Sequence, residues 1–386
     1  MSSYAPALIT YLTRIRFEFG ALAALGEELA FAGITRPLLC TDAGIVRAGL
    51  ADRVRAALPA GMEMAIYDGT PGNPTEAAVR DAAAAFRAHG ADGVIGLGGG
   101  SAMDLSKAAS LMATHPDVPM SNYAVIEGGL ARITDKVAPI VCIPTTAGTG
   151  SEVGRGGIII LADGRKVSIG SPHMLPRVAL CDPELTFGLP PILTAATGMD
   201  AITHCAECFL SLKVNPPADA IALDGLSRAW RHLERATANG QDREARWEML
   251  MASMEGAMAF QKGLGAVHAL AHPLGAVNNG TLHHGTLNAV LLPHVIRFNA
   301  PAVHQKFATL AQVMGLTVSA ATEEGIAGAF AALSARLGLP ATLGAMGVPR
   351  TVIPDIAVAA TKDHCHPGNP RLASVTDYQD ILSAAF

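Results

Sequence analysis

The apolar patterning of this 386-residue chain changes once, at Leu189-Pro190-Pro191. Before that point short β-rich runs alternate with amphipathic or alanine-rich stretches. Beyond it strand signals nearly vanish and helical patterns dominate. Strands are predicted at 37–41, 62–67, 93–97 and 139–143, with helices at 44–58, 75–89 and 101–113 between them. Such β-rich runs, PIVCI among them, suit strands of a parallel sheet buried on both faces. This βαβα order predicts a doubly wound, Rossmann-like α/β domain that binds its ligand at the carboxyl ends of the strands. A hairpin, 157–161 with 165–169 turning at Asp163-Gly164, closes this half. The later helices are expected at 192–211, 217–237, 242–260, 263–276, 284–299, 302–314, 321–337 and 351–361. Successive prolines resist continuing a helix or a sheet. The expectation is therefore an α/β domain over 1–188 and an all-helical domain over 189–386, with a cleft between them. The length lets each bury its own core.

Composition narrows the function classes. A net charge of −5 gives no electrostatic footprint for nucleic acid or an anionic membrane. No apolar run reaches the length of a membrane span. The N-terminal stretch lacks a basic region followed by an apolar core, so no signal peptide is expected. Several of the six cysteines lie in apolar runs, the pattern of a reducing compartment rather than a disulfide framework; a cytoplasmic protein is expected. Cys205 and Cys208 form a C-x-x-C, but with no second cysteine pair they read as helix cysteines packed among neighbours.

Two loops carry the nucleotide signal. Gly96-Leu97-Gly98-Gly99-Gly100-Ser101 follows a predicted strand and opens a helix. Its glycines let the backbone approach a phosphate, and the helix N-terminus offers unpaired N–H groups. Ser101 is expected to cap that helix while bonding a phosphate oxygen. The spacing is not the usual G-x-G-x-x-G. Pro144–Glu152 (PTTAGTGSE) also follows a strand, and its hydroxyls and small residues suit a surface along a dinucleotide. Asp42 ends the strand PLLCT, where a carboxylate would bond an adenosine ribose and repel a 2′-phosphate, favouring NAD over NADP. It would also serve as an N-cap.

The metal signal lies in the helical half. Asp200 and His204 are four residues apart, as are His268 and His272, so each pair shares one helix face. With His284 they offer one carboxylate and three imidazoles for a divalent cation such as Fe²⁺ or Zn²⁺. Glu207 is a rival carboxylate and His283 a rival to His284. A metal beside a nucleotide suggests alcohol chemistry, the cation polarising an oxygen while nicotinamide carries the electrons.

Together Gly98–Lys107 (GGGSxxDxxK), PTTAGTGSE, Gly198–His204 (GMDAITH), His268–Gly275 (HALAHPLG) and His283–Gly285 (HHG) resemble the iron-containing, group III, alcohol dehydrogenase family. The similarity runs from FEFGAL near residue 20 to GNPR at 368–371. It implies the dehydroquinate synthase-like fold, α/β then all-α, with one divalent metal per chain. The implied ligands are Asp200, His204, His268 and His284, and His272 lines the site without ligating. The NAD contacts carried over are Asp42, Asn73, Gly98, Gly99, Gly100, Ser101, Asp104, Thr145, Thr146, Thr149 and Lys166. A homo-oligomer, dimer or larger, is implied as well. His272 is expected to relay the alcohol proton, or else to pack against or orient a ligand.

Local departures bear on the substrate. After Ser151-Glu152 the chain reads Val153-Gly154-Arg155-Gly156-Gly157, and before His268 it reads FQKGLGAVH. These stretches, with EGGLARITDK and LHHGTLNAV, are most similar to family members that interconvert 4-hydroxybutyrate and succinate semialdehyde. Arg155, flanked by glycines, would hold a substrate carboxylate bidentately; Lys262 and Arg371 are alternatives. The competing expectations are a broader primary-alcohol or lactaldehyde reductase and a maleylacetate-reductase-like enzyme. The complete metal set speaks against the last.

Overall fold

The computed structural model describes residues 9, 11, 13–277 and 281–386. Residues 1–8, on which the signal-peptide reading partly rests, and 278–280, between His272 and His284, lie outside that set. The chain divides into two compact units. One takes residues 12–146 and 150–189, the other 190–386 with 147–149.

The first unit is built on a six-stranded sheet of order β1-β8-β5-β4-β2-β3, parallel throughout. Its strands are β1 (Arg14–Phe17), β2 (Pro37–Cys40), β3 (Ala65–Tyr67), β4 (Gly93–Gly98), β5 (Ile140–Pro144) and β8 (Val178–Cys181). Successive side chains alternate between faces. Leu38, Val94, Ile140 and Cys142 enter a core with α4 (Glu76–His89) and α5 (Gly100–Thr114). Leu39, Ile95, Val141 and Val178 enter another with α1 (Leu25–Ala32) and α3 (Leu50–Ala56). From β2 the chain runs to β3 on one side and then to β4 on the other. The topological switch point therefore lies between β2 and β4, where α/β sheets bind ligands. The hairpin forms as β6 (Gly156–Ile160) against β7 (Lys166–Gly170), antiparallel.

Four elements of this unit depart from the sequence reading. The helix expected over 44–58 is two, α2 (Ala43–Arg47) and α3, because Gly49 turns the backbone at φ 75°. The strand expected from 62 begins at Ala65. Edge strand β1 gives no apolar run: arginines at alternate positions pair with Glu27 and the buried Glu28 of α1. β8 has only four residues, also too few to stand out.

The second unit is helical. Its helices are α6 (Pro191–Leu210), α7 (Pro216–Ala238), α8 (Arg243–Met258), α9 (Ala266–Leu274), α10 (His284–Val303), α11 (Phe307–Val313), α12 (Glu323–Arg336), α13 (Ile353–Ala360) and α14 (Val375–Ala384). α6 is buried on all sides from Thr194 to Leu210, as expected of a helix apolar around its circumference. It packs against α7, α8 and α10, and α9 packs on α10 and α13. Cys205 and Cys208 lie against α8 carbonyls, and all six cysteines are buried and unpaired by disulfide. No described helix is long and apolar enough to cross a membrane.

Candidate active site

Helical spacing places Asp200 and His204 one turn apart on the buried face of α6. α9 supplies His268 and His272, and α10 begins at His284. Three imidazole Nε2 atoms converge on one oxygen, Asp200 Oδ1: His204 at 3.4 Å, His268 at 3.6 Å and His284 at 3.6 Å. Donors bonded tetrahedrally to one cation at 2.0–2.1 Å stand about 3.3–3.4 Å apart. Asp200, His204 and His268 each offer an atom within 4.8 Å of the others, and His284 joins them through Asp200, so side-chain shifts would bring the set to that spacing.

Gly285 makes this approach possible. A Cβ there would lie 2.0 Å from the Ala196 carbonyl oxygen and 3.2 Å from Asp200 Cβ. Only a residue without a side chain lets the first turn of α10 press onto α6. His284, not His283, is the histidine that reaches Asp200; His283 is the N-cap residue of α10.

The remaining ring nitrogens are held from outside the cluster. Glu207 accepts from His268 Nδ1 at 2.6 Å and from the Val267 amide at 2.7 Å. The Gly148 carbonyl accepts from His204 Nδ1 at 3.2 Å. Both contacts fix the tautomer that turns an Nε2 lone pair inward, the outer-shell arrangement of ligating histidines. Glu207 therefore orients His268 and is not itself one of the converging donors.

Asn288, one turn beyond His284, was not singled out in the sequence. Its amide donates to Asp200 Oδ1 at 2.7 Å and lies 3.3 and 3.2 Å from the Nε2 atoms of His268 and His284. Its own Oδ1 is buried with no partner. An electropositive group thus sits where the donors converge, and one buried polar atom is left unsatisfied. Both observations fit a cation site.

Electrostatics agree. Burial alone would raise the Asp200 carboxyl, but His204, His284 and His268 hold it well below the usual range. Burial lowers His204 to about 4 despite Asp200, leaving its lone pair available at neutral pH. Burial works against the charged form of His268 too, yet its bonds to Asp200 and Glu207 bring it up to about 9. A cation entering here must displace that proton.

His272 lies beside the cluster, its ring stacked on His284 at 5.5 Å. Its Nδ1 donates to Asp363 Oδ2 at 2.9 Å, which leaves Nε2 with a lone pair.

In the α/β unit, the loop after β4 and the N-terminus of α5 form a cradle. Gly98 adopts φ 144°, and a Cβ there would meet Ala102 at 2.8 Å and approach Asp42 Oδ2 at 3.8 Å. A Cβ on Gly99 would meet Thr146 at 3.3 Å. Asp42 and Gly98–Ser101 thus meet at the switch point, with Thr145 and Thr146 on the neighbouring loop after β5. Asp42 caps α2 through the amides of Gly44 and Ile45. Ser101 does not cap α5; its hydroxyl donates to the Gly72 carbonyl at 2.6 Å, and Gly99 is the cap residue. Lys166 donates to Asn73 at 2.7 Å. Asp104 is buried with both oxygens taken, by the Ser151 hydroxyl and the Ile158 amide. Its carboxylate ties α5 to the PTTAGTGSE loop and the hairpin. Lys107 does the same through Ser151 and Gly156. Thr149 belongs to the short segment counted with the helical unit.

The three cations weighed for a carboxylate differ. Lys262 is buried against Asp219 and the Phe209 carbonyl. Arg371 stacks on Phe298, donates to its carbonyl and faces Asp377. Arg155 is exposed just before the hairpin, and among the described residues it takes part in no ion pair.

Residues 13–183 match the family model described as iron-containing alcohol dehydrogenase, and 194–386 match that family's C-terminal model. The chain is 54% identical to the 4-hydroxybutyrate dehydrogenase of Cupriavidus necator over 97% of this chain and 99% of that one. A solved 1,3-propanediol oxidoreductase superposes with a TM-score of 0.89 at 38% identity, covering 98% of this chain and all of that one. The NAD⁺ complex of sulfoacetaldehyde reductase from Bifidobacterium kashiwanohense superposes at 0.87 with 28% identity, covering 99% of each. The chain belongs to the iron-containing alcohol dehydrogenase family and is an oxidoreductase of the kind that pairs a divalent metal with NAD.

Proposed function

We propose that this enzyme oxidises 4-hydroxybutyrate to succinate semialdehyde with NAD, and runs the reverse reaction. Arg155 carries this reading. Lys262 and Arg371 are already engaged, so Arg155 is the candidate cation left to take a substrate carboxylate bidentately. Similarity to the Cupriavidus enzyme supports the same assignment.

In this reading Asp200, His204, His268 and His284 hold the metal, with Fe²⁺ favoured by the family and Zn²⁺ compatible with the same donors. When bound, the cation would supply Lewis acidity to the reacting oxygen and NAD would supply a hydride-accepting nicotinamide. Glu207 and Gly148 hold two imidazoles in register. His272 Nε2 takes up the hydroxyl proton, while Asp363 fixes the ring and stabilises it when charged. Asp42, Asn73, Gly98, Gly99, Gly100, Ser101, Thr145, Thr146, Thr149 and Lys166 bind NAD, and Asp104 positions the loop that carries several of them. The α5 N-terminus favours the pyrophosphate. Six buried thiols suit a reducing, cytoplasmic setting, and family resemblance favours a homo-oligomer without nucleic-acid or membrane partners.

The test is Arg155→Ala assayed on 4-hydroxybutyrate and on 1,3-propanediol. Loss of a charge-assisted bidentate contact, about 1.5–3 kcal/mol, raises KM for the hydroxyacid by roughly tenfold to a hundredfold. The diol, which has no carboxylate, changes little. Equal losses on both substrates would refute the assignment.

A further inference from the structure

A second group of metal-capable side chains adjoins the first. His272, Asp363, His364 and Cys365 each offer one donor atom, and these atoms all lie within 4.8 Å of one another. We propose that they form a second cation site, suited to a thiophilic divalent ion such as Zn²⁺, whose occupation inhibits the enzyme by withdrawing His272 from the reaction.

The donor set separates this site from the Asp200 cluster. One thiol, two imidazoles and a carboxylate match zinc or cobalt, whereas the Asp200 cluster contains no sulfur. The group is prearranged by the turn after α13, where the Cys365 amide donates to Asp363 Oδ1 at 2.8 Å. Asp363 then faces both rings, Oδ2 to His272 Nδ1 at 2.9 Å and Oδ1 to His364 Nδ1 at 3.5 Å. His364 Nε2 lies 3.5 Å from Cys365 Sγ, and its ring stacks on His272 at 5.2 Å. Ligands bonded at 2.0–2.3 Å stand about 3.3–3.8 Å apart. A single cation takes one nitrogen from each ring, so small rotations close the set.

His364 has a side chain 28% exposed, whereas those of His272 and Asp363 are nearly enclosed, so it is the ring that can turn and admit an ion. His366, next along, is not a member, because its Nδ1 is engaged by the Tyr378 hydroxyl. On binding, the Cys365 proton leaves to solvent and the thiolate becomes the ligand. The cation either coordinates His272 or draws Asp363 away from it, and both remove the arrangement that lets His272 accept a proton. This inhibitory consequence rests on the role given to His272 above; the binding does not.

The probe is Co²⁺, titrated under anaerobic conditions into enzyme already carrying one equivalent of Fe²⁺, which the sulfur-free Asp200 cluster takes in preference to the thiol site. Thiolate-to-cobalt charge transfer absorbs in the near ultraviolet and cannot arise from Co²⁺ exchanged into the sulfur-free first site, and Cys365→Ser separates Cys365 from the other five thiols. The expected result is a charge-transfer band growing with the second equivalent, with turnover falling in step. Cys365→Ser abolishes the band. His364→Ala, at a partly exposed position, weakens binding at least about tenfold and relieves inhibition. Binding without a thiolate band, a band that survives Cys365→Ser, or no second equivalent overturns the site. A band with undiminished turnover overturns its inhibitory role. The band is read without substrate, so it stands or falls apart from the 4-hydroxybutyrate assignment.

Discussion

Gly285→Ala tests how the metal ligands are brought together. A Cβ at that position stands 2.0 Å from the Ala196 carbonyl oxygen and 2.8 Å from its carbon. Non-bonded heavy atoms settle at about 3.5 Å, so the first turn of α10 must retreat by more than about 1 Å. Metal distances tolerate about 0.2 Å, and functional constellations about 0.5 Å. His284 and Asn288 ride on that turn, so the variant withdraws one donor and the amide that contacts Asp200. Overpacking of this kind costs about 1–3 kcal/mol of stability. Loss of a ligand weakens the metal by more than the roughly 10–100-fold seen when only an outer partner is lost. Competition against a chromophoric chelator measures the affinity, and thermal unfolding measures the stability. Gly328→Ala is the control: it is also helical, but nothing lies within 4 Å of its Cβ, so it should be neutral or slightly stabilising. Wild-type metal affinity in Gly285→Ala would refute the argument that close helix approach assembles the site.

Three further outcomes follow. Glu207→Gln leaves one of two donors, His268 Nδ1 or the Val267 amide, facing a donor group, and should weaken metal binding about 10–100-fold by chelator competition; unchanged affinity would count against Glu207 as the group that orients His268. Glu152 is buried, and burial raises its carboxyl from 4.5 to about 7. The folded protein thus binds more protons than the unfolded chain across that window, and the group's contribution to stability is lost as pH rises through 7. Glu152→Gln should gain on the wild type by up to about 3 kcal/mol between pH 5 and pH 8 in denaturant unfolding; a pH-independent difference would contradict this. The Arg155→Ala substrate comparison completes the set.

The parts of the fold legible in the sequence were those whose burial is uniform. β2, β4 and β5 are buried at every position, and their apolar runs announce it. β1 is an edge strand whose isoleucine sits between two arginines paired with α1, so its pairing with β8 is a tertiary fact. Helix α14 went unread although its Ser374–Asp377 capping box is a local signal. In the site, i,i+4 spacing exposed Asp200 with His204 and His268 with His272, and the same rule applied to His284 reaches Asn288. Asp363 could not be found that way, since it meets His272 across 91 residues of chain. Asp104 sits in the glycine motif, but the partners it bonds in the fold lie on a loop and a hairpin more than forty residues on, which local spacing does not reveal.

The proposed reaction is a metal-dependent, NAD-linked oxidation of 4-hydroxybutyrate. Its most direct test strips the enzyme with a chelator, restores Fe²⁺ anaerobically in sub-stoichiometric steps, and follows NADH formation from 4-hydroxybutyrate. The expected result is no turnover without metal, a linear return up to one equivalent per chain, and parallel losses of metal and activity in Asp200→Ala. Full turnover in the stripped enzyme, or a restored enzyme that oxidises simple alcohols but not 4-hydroxybutyrate, would contradict it.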